Sequence, residues 1–367
     1  MMTRRDRYMT ILRKGKADSI IWAPNFDHWL NVNRANGTLP EEYVGMSRND
    51  IVRATGATIW ARVNIVHVEY PNVQVRQEEE PGVYIRRTYQ TPVGEVQTLH
   101  CYATDLTHAL FLKEHMIKRV EDIEVVKFMA ADARYTLDPQ PFYECEQEVG
   151  DDGISLVSLP ICVPFIQFGK TDAGWVQGLY LWHDYRHQVE ELLEVYTDRL
   201  IEVAKLLAQG PAKVIQSGDN MDELTMPPHI FRQYAIPYYR RIADILHSAG
   251  KIFEVHWCGH TKRLLPLAVG TGIDVIEAVV TVPMTDLTVQ EALASVEGKI
   301  VLQGGVPAIF MCPQGGTRDD LRRYIEDLLA RVPIGEKFVL GMGDNVPPDA
   351  DFGRVKMISD IVNALES

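Results

Sequence analysis

Cysteine is scarce and scattered in this sequence, with only Cys101, Cys145, Cys162, Cys258 and Cys312 among 367 residues. An odd number at irregular spacing excludes a disulfide framework, so any cysteine that matters does so as a ligand, a nucleophile or core filler. Positive charge is also thin. Lys and Arg number 37 against 50 Asp and Glu, a formal net charge of −13, and no basic run exceeds an adjacent pair such as Arg4 and Arg5. Nucleic acid is therefore not expected as a partner, because a phosphate backbone calls for clustered cations. No apolar stretch approaches the roughly 20 residues that span a bilayer, and the first residues lack the apolar core of a signal peptide. A cytoplasmic protein without membrane association is expected. What remains is ordinary globular material, 46% apolar and 24% charged, enough to bury a large core.

From residue 153 onward, short β-branched runs alternate with longer amphipathic stretches. Strands are predicted over 153–164, 212–217, 252–257, 274–278, 300–303 and 338–341. Helices are predicted over 182–209, 228–248, 261–269, 288–296, 318–331 and 352–365. Parallel strands joined by covering helices produce this alternation, and six such units in series favour a barrel over an open sheet. Upstream, 3–14 reads as a helix, and 20–23 and 58–62 as the first two barrel strands. Residues 64–104 alternate between Pro/Gly turns at "EEEPG" (78–82) and "QTPVGE" (90–95), the pattern of a β-hairpin insertion. The expected fold is α/β: one (β/α)8 TIM-barrel domain over 1–367 carrying an N-terminal β-hairpin insertion.

The sharpest chemical feature is His256-Trp257-Cys258-Gly259 at the end of a predicted strand. Residues i and i+2 of a strand share a face, so imidazole and thiolate would project together at the C-terminal mouth, where barrel enzymes keep their active sites. Borderline-soft Zn2+ accepts such mixed N and S donors. Further ligand candidates are Cys312 and Glu223. "SGDNMDE" (217–223) and "GMGDN" (341–345) place carboxylates beyond two strand ends. Asp222 and Asp351 read as helix N-caps; for Asp219, Glu223 and Asp344, capping stands level with chemistry, Asp219 and Glu223 being the acid/base candidates. Phe26, His28 and Trp29, with Phe165, Phe168, Trp175, Tyr180 and Trp182, could wall an apolar pocket or simply fill core; Phe26, His28, Trp29, Trp182, Asp344 and Asn345 are the substrate-binding candidates. His183 and His187, one helical turn apart, read as a solvated helix face.

The segment from 217 to 362, with "GDNMDELTMPPHIFRQYAIPYYRRIADILHSAGKIFEVHWCG", "GIDVIEA", "KIVLQGGV" and "GDNVPPDADFGRV", resembles the uroporphyrinogen decarboxylase superfamily, and "FDHWLNVNRANGTLPEEY" (26–43) is similar to its N-terminal segment. That superfamily divides into tetrapyrrole decarboxylases and zinc methyltransferases that exchange methyl groups with a corrinoid protein or a thiol. The decarboxylases' arginine-rich "RQAGR" is here Asn33-Arg34-Ala35-Asn36-Gly37, and near their catalytic aspartate "GATIWARVN" (56–64) offers only Arg62. The resemblance therefore implies the methyltransferase branch. In that branch His256 and Cys258 match the His-x-Cys zinc ligands, but the distant cysteine falls on Gly341-Met342-Gly343. The third ligand is then expected to be Cys312, Glu223 or another group. The resemblance implies zinc as cofactor and cobalamin on a separate corrinoid-binding protein as partner. The methyl donor is expected to be a small molecule such as an aryl methyl ether, and homodimer formation stays open. The alternatives are zinc-assisted alkylation of a thiol and a metal-free decarboxylase or lyase.

Overall fold

The computed structural model describes residues 2–105, 107 and 109–365. Eight short parallel strands form its centre: β1 (Trp22–Ala23), β2 (Ile59–Val63), β3 (Gly153–Ser158), β4 (Val214–Ser217), β5 (Ile252–His256), β6 (Val275–Val279), β7 (Val301–Pro307) and β8 (Phe338–Gly343). Their order across the sheet is β1, β8, β7, β6, β5, β4, β3, β2, every pairing parallel. The Thr58 N–H donates to the Trp22 carbonyl at 2.9 Å, joining the two outer strands. The expected α/β barrel is the observed one.

Strand periodicity sorts the interior into layers. Inward residues recur every second position, and the first of each series is apolar: Val214, Ile252, Val275, Val301 and Val339 form a floor with Trp60, Ile154 and Leu156. The N-terminal helix Arg4–Leu12 closes the barrel from below, burying Tyr8, Ile11 and Leu12 against that floor. Arg4 ties the helix down by donating to the carbonyls of Ala57 and Gly56 at 2.7 and 2.8 Å. Two positions further along the strands the inward residues turn polar: Gln216, Glu254, Glu277 and Gln303, each at most 2% exposed. Tyr8 reaches up from the plug and donates its hydroxyl proton to Gln303.

The predicted hairpin is the middle of a larger insertion. Strands Gln74–Glu80, Tyr84–Thr91, Gly94–Tyr102 and Leu110–Glu114 form an antiparallel meander, and Val66–Glu69 pairs antiparallel with Arg134–Leu137. Both predicted turns lie where the Pro/Gly punctuation puts them. The helix Val120–Asp132, which alternation alone does not signal, lies under the sheet so closely that a Cβ on Gly94 would stand 2.8 Å from Val125 Cγ2. Two helix predictions are corrected. The span 182–209 is two helices, Trp175–Asp184 and Arg186–Gln209, broken at Tyr185. The span 261–269 shrinks to Leu265–Ala268, because Pro266 has no N–H to continue a helix begun at 261.

After β3 the chain winds one π-helical segment, Gln167–Asp172. Its last residue, Asp172, is fully buried and accepts from Gln167 Nε2 at 2.9 Å and Tyr196 OH at 2.8 Å. Burial outweighs both hydrogen bonds and pushes its carboxyl from 3.8 up to about 7. A native pKa above the unfolded one means that the folded state holds the proton more tightly, so this group's stabilisation is full below about pH 3.8 and lost as pH rises through about 7. Asp172→Asn keeps the shape and removes the titration. Its stability relative to wild type, measured by urea unfolding, should improve by about 2 kcal/mol between pH 5 and pH 8; an unchanged difference would refute the assignment.

Candidate metal centre

Above the polar layer, β5 continues inward with His256 and then Cys258. Trp257, between them, faces the opposite way, as alternation requires. It is fully buried, donates from Nε1 to Tyr239 OH at 3.2 Å and meets Phe231 edge-on at 5.5 Å. A buried indole of this size contributes several kcal/mol of apolar burial, so the strand end carrying the two candidate ligands is anchored from behind.

The structure brings His256 and Cys258 together with Asp344: one ligand atom from each lies within 4.8 Å of the others. Asp344 follows β8 directly. Continued alternation would turn it outward after Gly343, but its backbone is left-handed, φ +87°, which breaks the alternation and returns the carboxylate to the mouth. Its Oδ1 stands 3.7 Å from His256 Nε2 and accepts from Asn345 Nδ2 at 2.9 Å. The other ring nitrogen, His256 Nδ1, lies 2.6 Å from Glu277 Oε2, with both side chains buried. Cys258 Sγ receives a hydrogen bond from Asn220 Nδ2 at 3.3 Å. Burial disfavours a charged imidazole here, yet Glu277 and Cys258 outweigh it and hold His256 well above its usual pKa. Burial, with Glu277 adding to it, pushes Glu254 up to about 8, so at neutral pH that carboxyl keeps its proton. A cleft of about 250 Å³ opens over this group, lined by Asp222, Cys258, His260, Val280, Met284 and Asp344 among others. One imidazole, one thiol and one carboxylate form a donor set compatible with zinc.

The remaining candidates lie elsewhere. Cys312 and Glu223 are not part of this group. The Cys312 thiol donates to Asp349 at 3.6 Å, and burial followed by the Asp349 charge pushes it up to about 11. Glu223 accepts from the Arg263 backbone N–H at 2.9 Å and pairs with its guanidinium at 3.2 Å, which ties two mouth loops together. Asp219 is fully buried and spends both oxygens on the Val163 N–H, the Ser217 hydroxyl and the Tyr239 hydroxyl, at 3.0, 2.7 and 2.6 Å. Burial raises its pKa in spite of these bonds. Asp222 caps no helix; it accepts from the Leu224 and His260 backbone N–H groups within the mouth. Asp351 pairs with Arg318 rather than capping the last helix.

Phe26 and Trp29 are buried around Phe352, Trp29 stacked on it at 3.8 Å and Phe26 edge-on at 5.2 Å, so they fill core while His28 is exposed. Trp182 donates to Tyr234 OH at 2.8 Å and lies under the Arg186 guanidinium, away from the cleft. His183 and His187 are solvent-exposed beside Asp184 and Glu191, as their spacing suggests. Sequence reasoning missed Glu277. Its signal was a lone carboxylate inside the apolar run "VIEAVV", as Glu254 was inside "IFEVH".

A family model described as uroporphyrinogen decarboxylase (URO-D) matches residues 160–365. Among solved structures, a methyltransferase from Methanosarcina mazei superposes over all of both chains with a TM-score of 0.62 at 15% sequence identity. A D-psicose 3-epimerase from Clostridium cellulolyticum H10 aligns over 62% of this chain and 83% of its own, with a TM-score of 0.36 at 9% identity. No curated protein matches the sequence.

Because Asp219 accepts from three buried donors, Asp219→Ala should cost at least about 3 kcal/mol in urea unfolding. If its role is structural, the fraction that folds should bind metal as wild type does; loss of metal with stability intact would instead place Asp219 in the centre.

Proposed function

The chain belongs to the uroporphyrinogen decarboxylase family, and we propose that it is a zinc-dependent methyltransferase that takes a methyl group from a small donor and passes it to a corrinoid carried by a separate protein. The observation that carries this reading is the group of His256, Cys258 and Asp344 at the barrel mouth, beneath a cleft sized for a small molecule. A methyltransferase sharing the fold over its whole length supports the choice of transfer chemistry.

His256, Cys258 and Asp344 would hold the metal. Zinc bound there supplies Lewis acidity to the heteroatom that the methyl group leaves. The chain's own groups do the rest. The Asn220 amide, donating to Cys258 Sγ at 3.3 Å, holds the sulfur in place at the mouth. Val280 and Met284 give the cleft an apolar wall that holds a methyl group and excludes water. An aryl methyl ether fits such a wall; a tetrapyrrole, with its several carboxylates, would meet Asp222 and Asp344 and find no arginine or lysine among the cleft's lining residues.

The direct test is elemental analysis of protein purified without chelators. About one zinc per chain is expected in wild type, with loss of most of it in Cys258→Ala and in Asp344→Ala, while Cys312→Ala and Glu223→Gln retain it. Zinc-loaded protein should then demethylate an aryl methyl ether in the presence of cob(I)alamin. Wild type free of zinc after metal supplementation would sink the proposal, and retention of zinc by Asp344→Ala would return the third ligand to Cys312 or Glu223.

A further inference from the structure

We infer that Glu277 is a positioning residue for the metal centre, fixing His256 in the one tautomer and orientation that aims Nε2 at Cys258 and Asp344. The inference rests on the zinc reading above and concerns a residue outside the ligand set. His256 and Glu277 face each other directly across the β5–β6 ladder, and Glu277 Oε2 lies 2.6 Å from His256 Nδ1. A carboxylate can only accept, so Nδ1 carries a proton toward Glu277, and Nε2 is the nitrogen left to offer its lone pair when a metal takes the place of its proton. Nε2 is the nitrogen that stands 3.7 Å from Asp344.

The backbone is distorted around this contact. Immediately after Glu277, Ala278 adopts φ +68°, and the pairing of β6 with β7 slips between Ile276 and Val279. Alanine gains nothing from a left-handed conformation, so the surrounding structure must enforce it. A bulge of this kind re-aims a side chain beside a functional site. On the neighbouring strand, Gly304 makes room: a Cβ there would come within 2.5 Å of Val279 N. From the other side, Gln216 Nε2 donates to Glu254 at 2.9 Å and reaches Glu277 Oε2 at 3.5 Å, a second, longer contact to the oxygen that faces His256. Residues of β4, β6 and β7 thus converge on the orientation of one imidazole on β5.

Zinc affinity, read by competition with a chromophoric chelator using the metal alone, tests this. Glu277→Ala should weaken zinc binding about 10- to 100-fold while wild-type circular dichroism is retained. Glu277→Gln, whose amide oxygen can still accept from Nδ1, should lose less. In the zinc-loaded wild type, nitrogen-15 shifts of His256 should show Nδ1 protonated and Nε2 bound to metal. Affinity within two-fold of wild type in folded Glu277→Ala, or zinc found on Nδ1, would overturn the inference. If the variants do not fold, the wild-type tautomer alone decides it. Wild type that binds no zinc would instead bring down the functional reading itself.

Discussion

The contact between His256 and Glu277 is the constraint on which the mouth of this barrel depends. Neither side chain could be buried alone: a charged group taken out of water without a partner costs several kcal/mol or gives up its charge. Paired at 2.6 Å, each supplies what the other lacks, and because they sit on adjacent parallel strands in direct register, the pair also locks β5 to β6 at the level of the site. The other members of the mouth gather just above that level. Cys258 follows two residues on, Asn220 reaches it from the loop after β4, and Asp344 arrives from the end of β8.

Below that level the barrel is organised by alternation alone. An apolar floor sealed by the N-terminal helix excludes water from beneath the polar residues, which lowers the local dielectric and strengthens each of their hydrogen bonds. Burial behind that seal is the first cause of the raised pKa of Glu254, with the Glu277 charge adding to it. The plug helix is therefore tied to the site chemistry through Tyr8, whose ring belongs to the floor and whose hydroxyl belongs to the polar layer.

Much of this was legible in the sequence. The strand-helix alternation gives the barrel, and the period of two gives His256 and Cys258 a common face, because both signals are local. The third member of the group was not legible as a ligand. Asp344 was visible as a carboxylate beyond the last strand, but only its left-handed backbone distinguishes a side chain aimed at the mouth from one aimed at solvent, and Asp is a residue that tolerates that conformation without announcing it. Cys312 and Glu223 were plausible by residue type and lie outside this group, each engaged by a nearby partner on another loop. Phe26 and Trp29 show the same limit from the other side: an aromatic cluster beyond a strand reads equally as a pocket wall or as core, and here Phe352, more than 300 positions away in the chain, makes it core. Glu277 could have been found by asking why an otherwise apolar strand contains a carboxylate.

Backbone strain collects where these long-range demands meet. Six non-glycine residues among those described have positive φ, and three of them, Asn220, Ala278 and Asp344, lie at the mouth, respectively bonded to Cys258, adjacent to Glu277 and within the candidate metal group. Asn and Asp adopt such conformations at modest cost; Ala278 does not, and strain of this type costs about 1–3 kcal/mol. A fold optimised for stability alone would place glycine there or remove the bulge. Glycine would relieve the strain but would also free the backbone to relax, and the alignment of Glu277 with His256 would soften with it. The strained alanine is thus best understood as the stiffer of two solutions, in which stability is given up locally so that the carboxylate behind the imidazole cannot drift.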